Sequence, residues 1–418
     1  MDIKVLLKWS FTLVLSCCIT YCNAQTWTKK ADLPEGREGT ICFNLNGKIY
    51  WGGGTPSTIG QAKADFYEYD PATDTWAQKA DMPSERAYGI SFSINGKGYI
   101  GLGKTSGGGS SAYLTDMYEY DAGTDKWTKK ADITTGFGLL DSRVFVINNK
   151  AYVLGGTNSN YANYGTLYEY DPANDQWTQK STYPVTNQGN SWVRMPFVFT
   201  LNNKGYVSCG EVRKTVGIGV DYSKETYEYD PVTDKWTRKA DFPGDGRLSG
   251  TAFVRDGKAY CGLGGNIDVN LMNVFYNDVY SYDAATDKWT KLTDYSGSAG
   301  VRAVSAVVNG VGYIGGGSKW QTGYNKDWYS IGTPSSVHSA KQQGSSAVIY
   351  PNPANDVLYF KSKDRYTSFR LSGITGQVIS AGTLNPDNSI DISKVPAGQY
   401  ILQLTADDKT SIDMVYIQ

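Results

Sequence analysis

The chain has 418 residues, a formal net charge of −1 and a pI of about 6.0, and no basic run suggests a nucleic-acid surface. Its single histidine, His338, excludes the usual zinc and copper sites and the Ser–His and Cys–His catalytic pairs, so we expect no metal or cofactor. The 47 Gly and 32 Tyr favour short strands, tight turns and aromatic packing.

The amino terminus has the pattern of a secretory signal. Lys4 and Lys8 precede the apolar stretch WSFTLVLSCCIT (9–20), and small residues stand just before Gln25. This predicts a signal peptide at residues 1–24 and export of the mature chain.

Three of the six cysteines fall in that signal, which leaves Cys42, Cys209 and Cys261. An odd number cannot form a complete disulfide set, and each lies in an apolar strand pattern. We therefore predict buried free thiols, with a Cys209–Cys261 disulfide as the alternative.

A ten-residue stretch recurs about every fifty residues. It is written YEYDPATDTW (67–76), YEYDAGTDKW (118–127), YEYDPANDQW (168–177), YEYDPVTDKW (227–236) and YSYDAATDKW (280–289). Each unit predicts four strands: a first strand, an Asn-Gly-type turn, a second strand ending in glycines, a variable segment, and then YEYD and a Trp strand joined by a tight turn. Asp74, Asp125 and Asp175 are predicted to be residues of that turn, with a cation site as the alternative.

The glycine doublet, the third-strand Tyr and the fourth-strand Trp resemble kelch repeats over residues 25–331. The resemblance implies an all-β β-propeller with one blade per repeat, and the six second-strand units and six fourth-strand Trp residues predict a six-bladed β-propeller. However, Trp27 precedes the first unit, and the last unit stops at DWYSIG (327–332). We therefore predict that residues 25–34 supply the missing fourth strand and close the ring.

Ligand binding is predicted on the face that carries the long, variable connections. The arginines before the first strands are expected to ring the channel mouth and bind carboxylates of an acidic sugar or peptide. The alternative is that each arginine pairs with a carboxylate of a neighbouring blade and holds the blades together. The candidate ligand-binding residues are Arg37, Arg86, Arg194, Arg247, Arg302, Tyr113, Tyr164, Trp192, Tyr222 and Trp320.

The segment CGEVRK (209–214) suggests an enzymatic alternative because it is similar to the sialic acid mutarotases among six-bladed kelch proteins. In that family a Glu follows the glycine at this strand end, and an Arg follows six residues later. Glu211 matches the Glu, whereas the later position is Gly217 and Arg213 or Lys214 would substitute. The resemblance implies that Glu211 and Arg213 are catalytic, with Glu211 moving the anomeric proton beside the arginine.

After a polar linker, predicted at residues 332–346, short alternating strands indicate a small β-sandwich at 347–418. Its motifs YPNPA, G-x-x-G and V-P-A-G-x-Y resemble the type A C-terminal sorting domain of the type IX secretion system. The resemblance implies passage across the outer membrane of a Bacteroidota-type cell and binding to the secretion machinery.

Taken together, these features predict a secreted or cell-surface kelch propeller that binds a glycan or protein ligand through its long-loop face. No enzymatic activity is expected, and the alternative is a carbohydrate-active enzyme of the N-acetylneuraminate epimerase type. The expected partners are the ligand and the secretion machinery, with no nucleic acid and no transmembrane segment in the mature chain.

Overall fold

The structure is a computed structural model. It describes residues 26–56, 61–106, 112–135, 138–159, 165–184, 192–213, 220–268, 270–298, 300–320, 323–332, 347–352, 354–363, 365–373, 378–396, 398–406 and 409–417. The predicted signal peptide, Tyr164, Gly217, His338 and nearly all of the linker lie outside these residues. The named secondary-structure elements of the described residues are all β-strands. None of these residues forms a helix able to cross a membrane.

A short first strand precedes three four-stranded sheets, each called a blade. The first strand is β1 (Thr26–Lys29). The first blade contains β2 (Glu38–Leu45), β3 (Lys48–Thr55), β4 (Phe66–Asp70) and β5 (Thr75–Lys79). The second blade contains β6 (Ile90–Ile94), β7 (Lys97–Gly101), β8 (Met117–Asp121) and β9 (Lys126–Lys130). The third blade contains β10 (Arg143–Ile147), β11 (Lys150–Leu154), β12 (Leu167–Asp171) and β13 (Gln176–Lys180).

The next two blades carry extra strands in their long connections. The fourth blade contains β15 (Phe197–Leu201), β16 (Lys204–Ser208), β19 (Thr226–Asp230) and β20 (Lys235–Lys239), with a separate sheet of β14 (Val193–Arg194), β17 (Glu211–Arg213) and β18 (Val220–Tyr222). The fifth blade contains β21 (Thr251–Arg255), β22 (Lys258–Gly262), β25 (Val279–Asp283) and β26 (Lys288–Lys291), with a hairpin of β23 (Gly265–Ile267) and β24 (Asn273–Phe275).

The sixth blade joins the two ends of the repeat region. It contains β27 (Val304–Val308), β28 (Val311–Gly315) and β29 (Trp328–Gly332), and β1 is its fourth strand, with Trp27 opposite Ile331. The innermost strands β2, β6, β10, β15, β21 and β27 contact one another in that order, and β27 contacts β2. Six blades in the described residues therefore close into a ring around a central channel.

The recurring ten residues form a clamp between neighbouring blades. In the first blade, Asp74 accepts hydrogen bonds from the Tyr69 hydroxyl (2.5 Å) and from the backbone N–H of Ala31 (2.9 Å), while the Trp76 indole donates to the Ala31 carbonyl (3.3 Å). Equivalent clamps join Asp125 and Trp127 to Ala80, Asp175 and Trp177 to Ala131, Asp234 and Trp236 to Ser181, and Asp287 and Trp289 to Ala240. The aspartates of these turns therefore accept hydrogen bonds from groups of the protein itself.

The clamps predict a loss of stability in acid. Partial burial raises the pKa of Asp175, but hydrogen bonds from Tyr170 and Ala131 outweigh it and the pKa lies below its ordinary value. A lowered folded-state pKa stabilises the protein above the unfolded pKa and ceases to do so as the pH falls through the folded pKa.

Urea unfolding should therefore have a lower midpoint at pH 3 than at pH 7. Asp175→Asn should lose about 1 kcal/mol at pH 7 and less at pH 3. Asp132→Asn, which removes an exposed ion pair with Lys129, is the matched control and should have little effect. Equal stability of Asp175→Asn and the parent at pH 7 would show that the clamp does not stabilise the ring.

The C-terminal segment forms two facing sheets around one core. One sheet contains β30 (Ala347–Tyr350), β31 (Val357–Ser362) and β34 (Ser389–Asp391). The other contains β32 (Ser368–Gly373), β33 (Val378–Thr383), β35 (Gly398–Ala406) and β36 (Lys409–Ile417). Leu358, Leu371 and Leu402 from both sheets are buried together, which makes this segment a β-sandwich.

Candidate functional site

Two backbone features recur in each blade at the channel mouth: a pair of residues with positive φ, and a bridge between the first and second strands. At each second-strand end, two successive residues have positive φ, and the second is always glycine, as in Cys209-Gly210 and Leu263-Gly264. A side chain on Gly264 would place its Cβ 2.6 Å from the Leu248 carbonyl, so only glycine fits. The residue after this doublet pairs with the residue five positions before the first-strand Phe or its equivalent.

These mouth bridges surround the channel on the long-loop face. They are Glu38 with Thr55, Ala87 with Lys104, Leu140 with Thr157, Arg194 with Glu211, Leu248 with Gly265, and Val301 with Ser318. The positions on the first-strand side are mostly small or apolar. Glu38 and Arg194 are the two charged exceptions, and they belong to opposite blades of the ring, the first and the fourth.

The next residue in each blade lies in the left-handed region of φ. These residues are Gly39, Tyr88, Asp141, Met195, Ser249 and Arg302. Backbone hydrogen bonds run from one blade to the next along this set, from Tyr88 N–H to Gly39 and from Arg302 N–H to Ser249, for example. These hydrogen bonds between blades fix the backbone from which the side chains project, which pre-organises the mouth.

Arg302 crosses the mouth. Its guanidinium lies 3.4 Å from Glu38 and 3.3 Å from Asp141, which belongs to the opposite, third blade, and 4.6 Å from the centroid of the Tyr88 ring. The Tyr88 hydroxyl donates to Glu38 (2.8 Å), and so does the Ser318 hydroxyl. Burial lowers the pKa of Arg302, but Asp141 and Glu38 outweigh it and hold the pKa above its ordinary value.

A second ionic group occupies the fourth-blade side of the mouth. The Arg194 guanidinium donates to Glu211 (2.8 Å), whose side chain is only 8% exposed. In the three-stranded sheet, Tyr222 lies opposite Glu211. Burial raises the pKa of Glu211; Arg194 opposes this and Asp141 adds to it, so the pKa lies above its ordinary value.

The channel below the mouth contains two connected cavities. The upper one, of about 200 Å³, is lined by Tyr88, Asp141, Arg143 and Arg302, and the lower one is about 310 Å³. Both are lined by Cys42. Burial lowers the pKa of Arg143 to about 10, with Asp141 opposing and Arg302 adding to this shift. The mouth therefore brings three arginines and three carboxylates together.

The other three predicted arginines form struts within their own blades. The buried Arg86 makes paired hydrogen bonds of 3.0 and 3.2 Å to Asp116, and it also donates to the Leu102 carbonyl (3.0 Å). Arg37 pairs in the same way with Asp65, and Arg247 pairs with Asp278. Each strut ties the segment before the first strand to the residue before the third. Among the described residues, none of these three arginines lines the two cavities. Glu38, Arg194 and Glu211 do not line them either, whereas Asp141, Arg143 and Arg302 do.

The remaining predicted residues are dispersed. Trp192 is buried directly before β14. Trp320 lies in the sixth-blade loop, with its ring 6.2 Å from that of Phe275. Tyr113 forms a bridge with Lys104 in the second blade. Arg213 ends β17, where its backbone pairs with Val220.

The three cysteines of the described residues are free thiols in the structure. Cys209 and Cys261 are buried in one core cluster, whereas Cys42 faces the channel. Burial raises the pKa of the Cys42 and Cys209 thiols to about 12, which makes both unreactive at neutral pH.

Sequence reasoning missed Glu38, Tyr88, Asp141 and Arg143. One signal was present: Glu38 is the only acidic residue at its repeat position. The contacts themselves had no local signal, because Arg302 is 264 residues from Glu38 and 161 residues from Asp141 in the chain.

Comparison with known proteins identifies two domains. Residues 140–317 match the KLHDC2/KLHL20/DRC7 Kelch-repeats domain, and residues 348–418 match the secretion system C-terminal sorting domain. The solved structure of YjhT superimposes on this chain with a TM-score of 0.61 and 20% identity. The superposition covers 73% of this chain and 97% of the YjhT chain. At that identity, the similarity concerns the fold alone.

Two curated relatives are similar to part of this chain. The N-acetylneuraminate epimerase of Shigella flexneri serotype 5b (strain 8401) is 36% identical over 107 residues, which is 25% of this chain and 28% of the relative. The N-acetylneuraminate epimerase of Escherichia coli O157:H7 is 35% identical over 120 residues, which is 28% of this chain and 31% of the relative. The chain thus spans about three tenths of the length of these relatives. The matches therefore show a kelch-repeat domain within a β-propeller fold and a C-terminal secretion-system sorting domain.

Proposed function

We propose that the mature protein is displayed on the cell surface or released, and that it binds an acidic glycan at the channel mouth. The sorting domain supports type IX secretion. A signal peptide at residues 1–24 would deliver the chain to that system in a Bacteroidota-type cell.

The observation that carries the binding proposal is the convergence of Glu38, Asp141, Glu211, Arg194 and Arg302 at the mouth. Burying charges is costly, and the other blades place small or apolar residues at most of the corresponding bridge positions. Clusters of buried ionic groups beside a cavity are typical of functional sites.

The hydrogen-bonding groups of the mouth suit an anionic, hydroxyl-rich ligand. Arg194 and Arg302 each retain a buried Nε that has no hydrogen-bond partner among the described residues. A guanidinium fork binds a carboxylate in two places, and carboxylates such as Glu211 accept hydrogen bonds from sugar hydroxyls. A protein ligand bearing an acidic side chain remains the second possibility for the same site.

A mutarotase is the alternative function because Glu211 has the properties of a general acid–base. It is buried, its pKa is raised, and it is hydrogen-bonded to Arg194. A carboxylate with such a pKa can take the proton of the anomeric hydroxyl and deliver it to the ring oxygen as the ring bond breaks, which leaves an open-chain carbonyl. The reverse transfer on the other face of the carbonyl closes the ring to the other anomer. The partial similarity to N-acetylneuraminate epimerases favours this candidate over other enzymes.

A glycan array and an NMR anomerisation assay on N-acetylneuraminic acid distinguish the two functions. We expect the mature chain to bind a defined set of acidic glycans and to leave the exchange of anomers at the uncatalysed rate. Saturable acceleration of exchange that disappears in Glu211→Gln would establish the mutarotase instead. An array without bound glycans, together with uncatalysed exchange, would refute the glycan proposal.

A further inference from the structure

The sorting domain exposes an aromatic face that its fold does not require. Half of the large hydrophobic side chains exposed in the described residues lie in this small domain: Val348, Tyr350, Tyr359, Ile379 and Tyr416. The domain already has a complete core built from both sheets. The outward side of a two-layer sheet normally carries polar residues, so exposed aromatic side chains here indicate an interaction surface.

Three of these residues form one continuous face on β30 and β31. Tyr350 and Tyr359 are directly opposite in the ladder, and their rings stack with centroids 5.9 Å apart and an interplanar angle of 21°. They are 48% and 38% exposed, and Val348, two residues from Tyr350 on the same side of β30, is 65% exposed. The stack holds both rings in one orientation without burying them.

A charge of each sign borders this face. Lys361 lies opposite Val348, and Asp391 lies opposite Val357 at the other side of the sheet. One cation and one anion leave no net charge to attract a charged partner. A neutral, apolar surface is therefore the complementary partner, and ordered tyrosines are well suited to such contacts because little side-chain freedom is lost on binding.

We propose that the Val348–Tyr350–Tyr359 face is the surface by which the secretion machinery binds this chain, through an apolar groove on one of its protein components. The family of the domain supplies the occupant, since a secretion sorting domain must be bound by the system that exports it. This proposal is independent of the ligand site on the propeller.

Export of the full chain in a bacterium with a type IX system tests the proposal. In the double variant Tyr350→Ser/Tyr359→Ser, the exported amount should fall by about tenfold or more, and folded precursor should accumulate in the periplasm. Ile379→Ser, an exposed position on the other sheet, is the matched control and should be exported normally. Export of the double variant at the parent's rate would overturn the proposal.

A crosslinking experiment tests the same proposal without depending on whether the double variant folds. A photoreactive amino acid at Val348 in the otherwise unchanged chain should crosslink in vivo to an identified component of the secretion machinery, whereas the same group at Ile379 should not. Crosslinks from Val348 only to a second copy or to the chain's own propeller would refute the proposal, as would equal crosslinking from both positions.

Discussion

Removal of residues 25–34 should lower the melting temperature of the mature chain by more than about 10 °C and cause self-association. β1 pairs with β29 along its whole length, and Leu33, which follows it, is only 2% exposed in the core shared with Trp328. Loss of a buried Leu alone costs about 2–5 kcal/mol. The truncation also exposes the edge of β29 and removes the Ala31 clamp to the first blade.

Calorimetry and light scattering measure both effects. Lys29→Ala is the control in the same segment, because its ion pairs with Asp32 and Asp327 lie near the surface and contribute less than about 1 kcal/mol. A truncated chain that stayed monomeric and melted with the parent would show that the N-terminal strand does not close the ring.

Arg86→Ala should destabilise the propeller by about 3–5 kcal/mol in urea unfolding. The substitution leaves the Asp116 carboxylate without its paired donor in a largely buried position. Lys129→Ala, which breaks an exposed pair with Asp132, should change stability by less than about 1 kcal/mol.

The double variant Arg86→Met/Asp116→Leu should recover much of that stability, since it removes both buried charges together. Ligand affinity should be unchanged in the folded double variant because the strut lies away from the mouth cavities. Normal stability of Arg86→Ala with lost ligand binding would instead place Arg86 in the ligand site.

The repeat made the scaffold predictable. The Asn-Gly turns predicted hairpins, and positive φ at both Asn46 and Gly47 is what such turns require. The kelch repeats and the sorting domain were predicted from motifs, and the comparisons confirm both. Local motifs determine these features, so one sequence is enough to predict them.

The roles of the arginines were harder to predict, although the chain contained a clue. Units with Arg37, Arg86 or Arg247 have Asp just before the third strand, as at Asp116. Units with Leu139 or Val193 at the arginine position have Thr166 and Glu225 there. In the first, second and fifth units the Arg and the Asp occur together, which indicates a pair within one blade, whereas the sixth unit has Asp327 without the Arg.

The mouth could not be assembled from sequence because ring closure creates it. Arg302 meets Asp141 only because the third and sixth blades face each other across the channel, and Glu38 joins them only because β27 packs against β2. A repeat pattern specifies each blade but does not specify which side chains meet across the channel.

Binding of one glycan hit by matched variants tests the central claim that the ligand occupies the mouth. Arg302→Ala should weaken binding by at least about tenfold, the equivalent of about 1.4 kcal/mol. Leu271→Ser/Met272→Ser, exposed on the fifth-blade hairpin of the same face, should bind like the parent. Binding that survives in Arg302→Ala and is lost in the hairpin variant would contradict the account.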